Sequence, residues 1–345
     1  MTTAILIARL DSDGDVLLAG PAVRAAAAGV RGEPAEVTLL CGPAGEQAAH
    51  LLPGVDRTIT WSCPWIVPDP EPLCPNDISG FVGRLAELRL DTAAILTSAH
   101  QSCLPLALLL RMAGVPRIVG VSADYPGALL DVRLRPDIDF DDDLPEPERA
   151  LTVLNAAGAA LPPGDEGGLA VVKPPDVTAL TGAGRYVVVH PGASVPARTW
   201  PAPHCAAAVE ALCAKEYRVL VTGGPGEREL TASVAGRSGV DLGGRTSYAE
   251  LAGVLAGAEA VVVGNTGPAH LAAAVGTPVV SLFAPVVPAG RWAPYRVPHV
   301  LLGDQDAPCR ASRARQCPVP GHPCLSSVSV PDVLDAVEVL TGVVR

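Results

Sequence analysis

In the second half of this chain, three apolar runs feed short turns whose residue types suit phosphate and ribose. The plainest is Val261-Val262-Val263-Gly264-Asn265-Thr266-Gly267-Pro268-Ala269-His270-Leu271, a β-branched run, a small-residue turn and a helix start. Gly264 and Gly267 let a ligand approach the backbone, and Pro268 suits a first helical turn, where no amide bond is lost. Free amides and the helix dipole at such a turn favour an anion. The second is Tyr186–Val189 running into His190-Pro191-Gly192-Ala193-Ser194-Val195-Pro196-Ala197-Arg198-Thr199-Trp200-Pro201. Gly192 permits close approach, Ser194 can donate a hydrogen bond, and the Arg198 fork can engage two phosphate oxygens. Arg198 as a solvated surface charge is the plain alternative, and Trp200 reads as packing under the loop. The third is Arg218–Thr222 leading into Gly223-Gly224-Pro225-Gly226-Glu227. A carboxylate such as Glu227 accepts both hydroxyls of a ribose diol, although acids are common at helix starts for dipole reasons alone.

The first half carries acids instead. Strand Ala4–Ala8 ends in Arg9-Leu10-Asp11-Ser12-Asp13-Gly14-Asp15-Val16. Asp15 either caps the following helix or serves as a base. The DxDxD spacing imitates a calcium loop, but the downstream ligands of such a loop are missing.

Elements that would position these residues alternate along the chain. In the first half, Ala4–Ala8, Glu36–Leu40, Ala93–Leu96 and Arg117–Val121 read as strands, and Val16–Ala28, Phe81–Leu88, Pro105–Ala113 and Glu148–Ala157 as helices. A Pro/Gly-rich stretch, Leu161–Gly168, reads as part of a linker. The rhythm then restarts: Tyr186–Val189, Arg218–Thr222, Ala260–Val263 and Val279–Phe283 as strands, and Pro203–Lys215, Glu227–Ala235, Tyr248–Ala256 and Pro331–Leu340 as helices. The class is α/β, with parallel sheets in two lobes. In such folds ligands sit at the carboxyl ends of strands, here in an inter-lobe cleft. The expected division is 1–160, a linker at 161–180, 181–330, and a terminal helix at 331–345.

With 345 residues the chain suits two domains. Aromatics are 3% of it, so the cores must be aliphatic. A net charge of −11 argues against nucleic acid or anionic membrane as a partner and points to small molecules. The start of the sequence has no basic, apolar secretory pattern, and no long apolar span free of Gly, Pro and charge stands out, so a cytoplasmic protein with no transmembrane segment is expected. Cys41, Cys63, Cys74, Cys103 and Cys213 are scattered. Cys309, Cys317 and Cys324, with His322, form a group whose spacing is not that of a zinc site, and a thiol-rich loop is expected there.

In order, Gly14-Asp15-Val16, His190-Pro191-Gly192-Ala193-Ser194 with Arg198-Thr199-Trp200-Pro201, Gly223-Gly224-Pro225-Gly226-Glu227 and Asn265-Thr266-Gly267-Pro268-Ala269-His270-Leu271 resemble family-9 glycosyltransferases, the ADP-heptose:lipopolysaccharide heptosyltransferases. The resemblance spans nearly the whole chain and is most specific in its second half. It implies a GT-B fold of two Rossmann-like lobes, the nucleotide sugar on the C-terminal lobe, and an inverting reaction without metal or other cofactor. It also implies a terminal helix that crosses back to the first lobe. By this resemblance Asp15 matches the general base. His190, Gly192, Ser194, Arg198 and Gly224 fall on the donor side, with Arg198 where the family usually has lysine. Glu227 matches the ribose-binding acid, and Thr266, Gly267 and His270 the turn around pyrophosphate and sugar.

The chain departs from the pattern in two places. Asn265 stands where the family commonly has aspartate, which implies a changed contact to the donor sugar. Trp61–Gly80 contains no lysine or arginine, unlike a lobe that meets an anionic lipid core. Arg9, His100 and Gln101 still line the expected acceptor side and suit a neutral or modestly charged hydroxyl compound that is not lipopolysaccharide. The expected activity is transfer of a heptose or hexose from a nucleotide diphosphate sugar, ADP-linked, to that hydroxyl. A nucleotide-sugar epimerase and a catalytically silent nucleotide-sugar-binding protein are the alternatives.

Overall fold

A computed structural model describes residues 2–98 and 100–342. The chain divides into two compact units, Met1–Val172 and Lys173–Arg345.

The first unit runs β1 (Thr3–Arg9), α1 (Asp13–Leu18), α2 (Gly20–Ala27), β2 (Ala35–Cys41), α3 (Glu46–Ala49), β3 (Arg57–Thr60), α4 (Pro75–Glu87), β4 (Thr92–Ile95), α5 (Leu104–Met112), β5 (Arg117–Val121), β6 (Val132–Leu134) and α6 (Glu146–Ala157). Its six strands lie in the order β3-β2-β1-β4-β5-β6, all neighbours parallel. Central strands of such a sheet are covered on both faces, so Ile5, Leu6, Ile7 and Ala8 form an uninterrupted buried run.

The second unit repeats the plan: α7 (Thr178–Thr181), β7 (Val187–His190), α8 (Ala202–Ala214), β8 (Val219–Val221), α9 (Arg228–Ala235), β9 (Val240–Asp241), α10 (Tyr248–Ala256), β10 (Val261–Gly264), α11 (Gly267–Ala274), β11 (Val279–Leu282), α12 (Ala289–Trp292), β12 (His299–Leu302), α13 (Pro323–Ser326) and α14 (Val330–Thr341). The strand order β12-β11-β10-β7-β8-β9 is that of the first sheet, again parallel throughout. The expected α/β class of two Rossmann-like sheets is therefore observed. In each sheet the strand order reverses at one point, β1 beside β4 and β7 beside β10, and such a switch point opens a crevice at the strands' carboxyl ends.

Local structure departs from the sequence reading in two instructive ways. The helix expected over Val16–Ala28 is two helices, α1 and α2, broken at Ala19, because Pro21 lacks the amide that would continue the first. In addition, α1 begins earlier, at Asp13. The Pro/Gly-rich stretch expected as a linker is tied to the first unit as far as Val172, through the Arg24–Asp165 pair (2.7 and 2.9 Å) and the Val172 amide on the Leu51 carbonyl (2.8 Å). At the other end, α14 opens with Ser329 and Asp332 in a reciprocal cap and buries Val333, Ala336 and Val337 in the second unit's core.

Candidate functional site

At the first unit's switch point, Arg9 is the last residue of β1, and its guanidinium is buried beneath the turn into α1. Its Nη2 donates to Asp15 Oδ1 (2.8 Å) and to Ser98 Oγ (3.1 Å), and lies 3.5 Å from Glu146 Oε2. Its Nε is 3.1 Å from Asp11 Oδ2. Ser12 precedes α1 in extended conformation but makes no side-chain cap to the backbone, its hydroxyl donating instead to Asp15 Oδ2 at 2.9 Å. Asp15 is thus the third residue of α1, gripped on both oxygens by side chains and one-fifth exposed. Gln101, in the turn after β4, donates to Asp11 Oδ1 at 2.5 Å, and His100 is exposed in the same turn. Hence Asp11 links Gln101 to Arg9, and Arg9 links them to Asp15.

Three carboxylates around one guanidinium leave the cluster short of positive charge. Burial would lower the Arg9 pKa, but Asp11, Asp15 and Glu146 outweigh it and hold the group well above its ordinary range. Asp11 is pushed up to about 6, first by burial and then by Asp15 and Glu146, against Arg9 and the Gln101 hydrogen bond. Asp13 turns elsewhere: its Oδ1 accepts the Ala48 amide (3.0 Å), and burial raises it to about 6. Of the three aspartates of the DxDxD run, Asp11 and Asp15 therefore share Arg9, and Asp13 alone faces away from it, onto the Ala48 amide.

The second unit's switch point gathers the phosphate-directed turns. His190 ends β7, buried, with Nδ1 3.0 Å from Thr222 Oγ1. Burial lowers its pKa, with Glu227 opposing. The Glu227 carboxylate accepts the Gly224 amide at 2.7 Å and lies across Gly192, where a Cβ would sit 1.9 Å from Oε1. Gly192 is therefore what lets the acid cross the β7 turn. A Cβ on Gly264 would meet the Arg198 carbonyl at 2.6 Å, so the Arg198 turn crosses the end of β10 at a glycine. There Arg198 Nη1 donates to the Asn265 carbonyl (3.4 Å), joining two turns recognised separately in the sequence.

Asn265, Thr266, Ser194, His270 and Trp200 occupy distinct places around these turns. The Asn265 amide is buried and paired on the backbone of one residue: Nδ2 donates to the Ala284 carbonyl (3.2 Å), and Oδ1 accepts the Ala284 amide (3.1 Å). The Thr266 amide donates to the Gly264 carbonyl (2.9 Å), leaving that of Gly267, the first residue of α11, as the helix-start donor without an intrahelical acceptor. Ser194 is exposed in the β7 turn, and His270 is buried on α11. Trp200 packs in the core, its Nε1 donating to the Val328 carbonyl at 3.3 Å.

The thiol-rich loop has a structural place. Cys309 and Cys324 are buried in the second unit's core, and Cys317 is half-buried against them. The Cys324 thiol is pushed up to about 12 by burial and by its two thiol neighbours. From this loop the Arg315 carbonyl accepts the Ala197 amide (3.0 Å), while His322 Nε2 lies 3.1 Å from the Ala197 carbonyl. The loop so buttresses the turn that carries Arg198. Among the described residues no group of three or more His, Cys, Asp or Glu is arranged to hold a metal, and no helix is long and apolar enough to cross a membrane.

The sequence reading missed Glu146, Ser98 and Thr222. Glu146 reaches Arg9 across 137 positions, and its only local signature, Pro145-Glu146-Pro147, is that of an ordinary helix start.

Comparison with known proteins gives the family and the fold. The family profile glycosyltransferase family 9 (heptosyltransferase) matches residues 93–322, and so begins beyond Asp15. Lipopolysaccharide heptosyltransferase 1 of Pseudomonas aeruginosa is 36% identical over 134 residues, which are 38% of this chain and 37% of that protein. The chain thus aligns with little more than a third of that relative's length. The glycosyl transferase family 9 structure from Veillonella parvula superposes with a TM-score of 0.76 at 19% identity, covering 98% of this chain and 97% of that one. ADP-heptose lps heptosyltransferase II of E. coli superposes at 0.71, also at 19% identity, covering 98% of each chain. These likenesses show the shared fold, the GT-B type expected from the sequence.

Proposed function

Because the chain belongs to glycosyltransferase family 9, the heptosyltransferase family, we propose that it moves a heptose or hexose from an ADP-linked sugar to a hydroxyl of an acceptor other than lipopolysaccharide, with inversion. Family membership favours a transferase over the epimerase and the silent binding protein.

In this reading Asp15 takes the acceptor hydroxyl's proton as its oxygen attacks the anomeric carbon. The bond from that carbon to the diphosphate breaks, and its electrons leave with the diphosphate. Arg198 and the amide at the start of α11 offset the growing negative charge, and Glu227 takes the ribose hydroxyls. The carrying observation is the Asp15 carboxylate, fixed by Arg9 and Ser12 at a switch point yet still one-fifth exposed. A base must combine fixed orientation with access, and proton abstraction so arranged supplies about 10²–10⁴-fold in rate. The absence of lysine and arginine from Trp61–Gly80 supports a neutral acceptor.

The test begins with thermal shifts in ADP, UDP, GDP and dTDP, where the largest rise is expected with ADP. ADP-heptose is then offered with neutral glycosides and, separately, with a phosphorylated lipid core, and products are read by mass spectrometry. Glycosylation of the lipid core alone would overturn the acceptor assignment, and stabilisation by another nucleotide would overturn the donor assignment.

A further inference from the structure

The first turn of α6 supplies a buried acid that the base assignment leaves unused. Glu146 Oε2 lies 3.5 Å from Arg9 Nη2, the same nitrogen that donates to Asp15. Its other oxygen is 3.3 Å from Arg149 Nε. Arg149 is itself anchored, with Nη1 on the Asp142 carboxylate (2.6 Å) and carbonyl (2.8 Å) and its guanidinium over the Phe140 ring (5.0 Å). Glu146 is therefore fixed from behind, and Arg9 is divided among Asp11, Asp15 and Glu146.

We propose that Glu146 is a positioning residue for Asp15, acting through Arg9: it sets the plane from which the guanidinium presents Nη2 and draws off part of its charge, so that Asp15 is held without losing its affinity for a proton. The inference rests on the reading of Asp15 as base. A guanidinium paired with one buried carboxylate favours the ionised form and makes a poor base of it, whereas added like charges restore proton affinity. Asp11 is bound to the same Arg9, and the nearby Glu146 charge acts on it in the raising direction, after burial and Asp15. Its Oδ2 faces Arg9 Nε without a donor in hydrogen-bonding geometry. The charged and titratable side chains around the pair include Arg9, Asp11, Asp13 and Asp15 from the β1–α1 region, Cys63 from the loop after β3, and Asp142, Glu146 and Arg149 from α6 and the loop before it.

The test uses the full chain with 13C-labelled aspartate. Carboxyl resonances are assigned with D11N and D15N and followed from about pH 4 to 8. Removing the Glu146 charge with its shape kept, in E146Q, is expected to lower the Asp11 and Asp15 midpoints by about one unit. E146D, which keeps the charge but withdraws it, is expected to shift them less. In parallel, ADP release from ADP-heptose with water as acceptor is expected to show a lower kcat and a more acidic lower limb in E146Q, at unchanged donor KM. Midpoints that stay at wild-type values in both Glu146 variants overturn the inference, since a purely structural role would leave the titrations alone. Undiminished ADP release by D15N overturns the base reading instead, while the Asp11 titration still reports whether Glu146 acts through Arg9.

Discussion

Replacing Gly192 by alanine tests the donor half of the site most directly. The added Cβ would lie 1.9 Å from Glu227 Oε1 and 2.4 Å from its Cδ, so the carboxylate must retreat by roughly 1 Å or more to reach ordinary contact. It cannot do so and keep its 2.7 Å bond from the Gly224 amide. A hydrogen bond to a charged group contributes about 1.5–3 kcal/mol, and a ribose diol that depends on the same carboxylate would lose a comparable amount. Converted to affinity, that weakens ADP binding by about 10- to 150-fold. Isothermal titration of ADP into the wild type and G192A reads the effect. Gly226→Ala is the control, because its Cβ would meet nothing within 4 Å. Wild-type ADP affinity in G192A, or an equal loss in G226A, would refute the assignment of Glu227 to the ribose.

Three further outcomes are expected. Asp15→Asn should bind ADP like the wild type and lose transfer by about 10²–10⁴-fold, measured as ADP release; a rate near wild type removes Asp15 from the chemistry. Asn265→Ala leaves the Ala284 amide and carbonyl without their partner at a buried position, at about 1–3 kcal/mol per orphaned group, and calorimetry should show a lower Tm; an unchanged Tm would mean that pairing is dispensable. Asp13 is raised to about 6 in the fold against an ordinary value near 3.9, so ionising it at pH 7 costs the folded state about 2–3 kcal/mol, a cost that fades as pH falls through 6 and is gone below about 4. Asp13→Asn keeps an acceptor for the Ala48 amide and should therefore stabilise the protein at pH 7 but not at pH 4, as denaturant titration at the two pH values would show; equal effects at both would contradict the shift.

The sequence shows central strands and misses edge ones, for a physical reason. β1, β4, β7 and β10 are buried on both faces and read as apolar runs, whereas β3, β6, β9 and β12, none of them expected, are the outermost strands of their sheets. Half-exposed and short, they carry polar residues such as Arg57, Arg133 and His299 and show no run to detect. The same contrast governs the site. Turns that follow a buried strand, with Gly192, Gly264 or Asp15, are visible because glycine and acid types cluster locally. That Glu227 crosses Gly192, or that Glu146 shares Arg9, depends on pairings between distant segments that no local spacing encodes.

Two sheets of one strand order offer two equivalent switch points, which differ in the charge gathered around them. Around Arg9 one cation faces Asp11, Asp15 and Glu146, so an approaching diphosphate would meet carboxylates only partly neutralised, a repulsion of about 4 kcal/mol per charge at 4 Å and intermediate dielectric. A hydroxyl carries no such penalty, and its proton finds an acceptor there. At the second switch point one carboxylate, Glu227, stands against one cation, Arg198, so there is no such excess of negative charge. His190 is held toward its neutral form by burial, Glu227 is turned onto a backbone amide, and the Arg198 guanidinium lies on the Asn265 carbonyl just before α11. Sheet topology alone does not decide which unit takes the phosphates. On the reading proposed here the local balance of charge does, with proton transfer at the first unit and the diphosphate at the second.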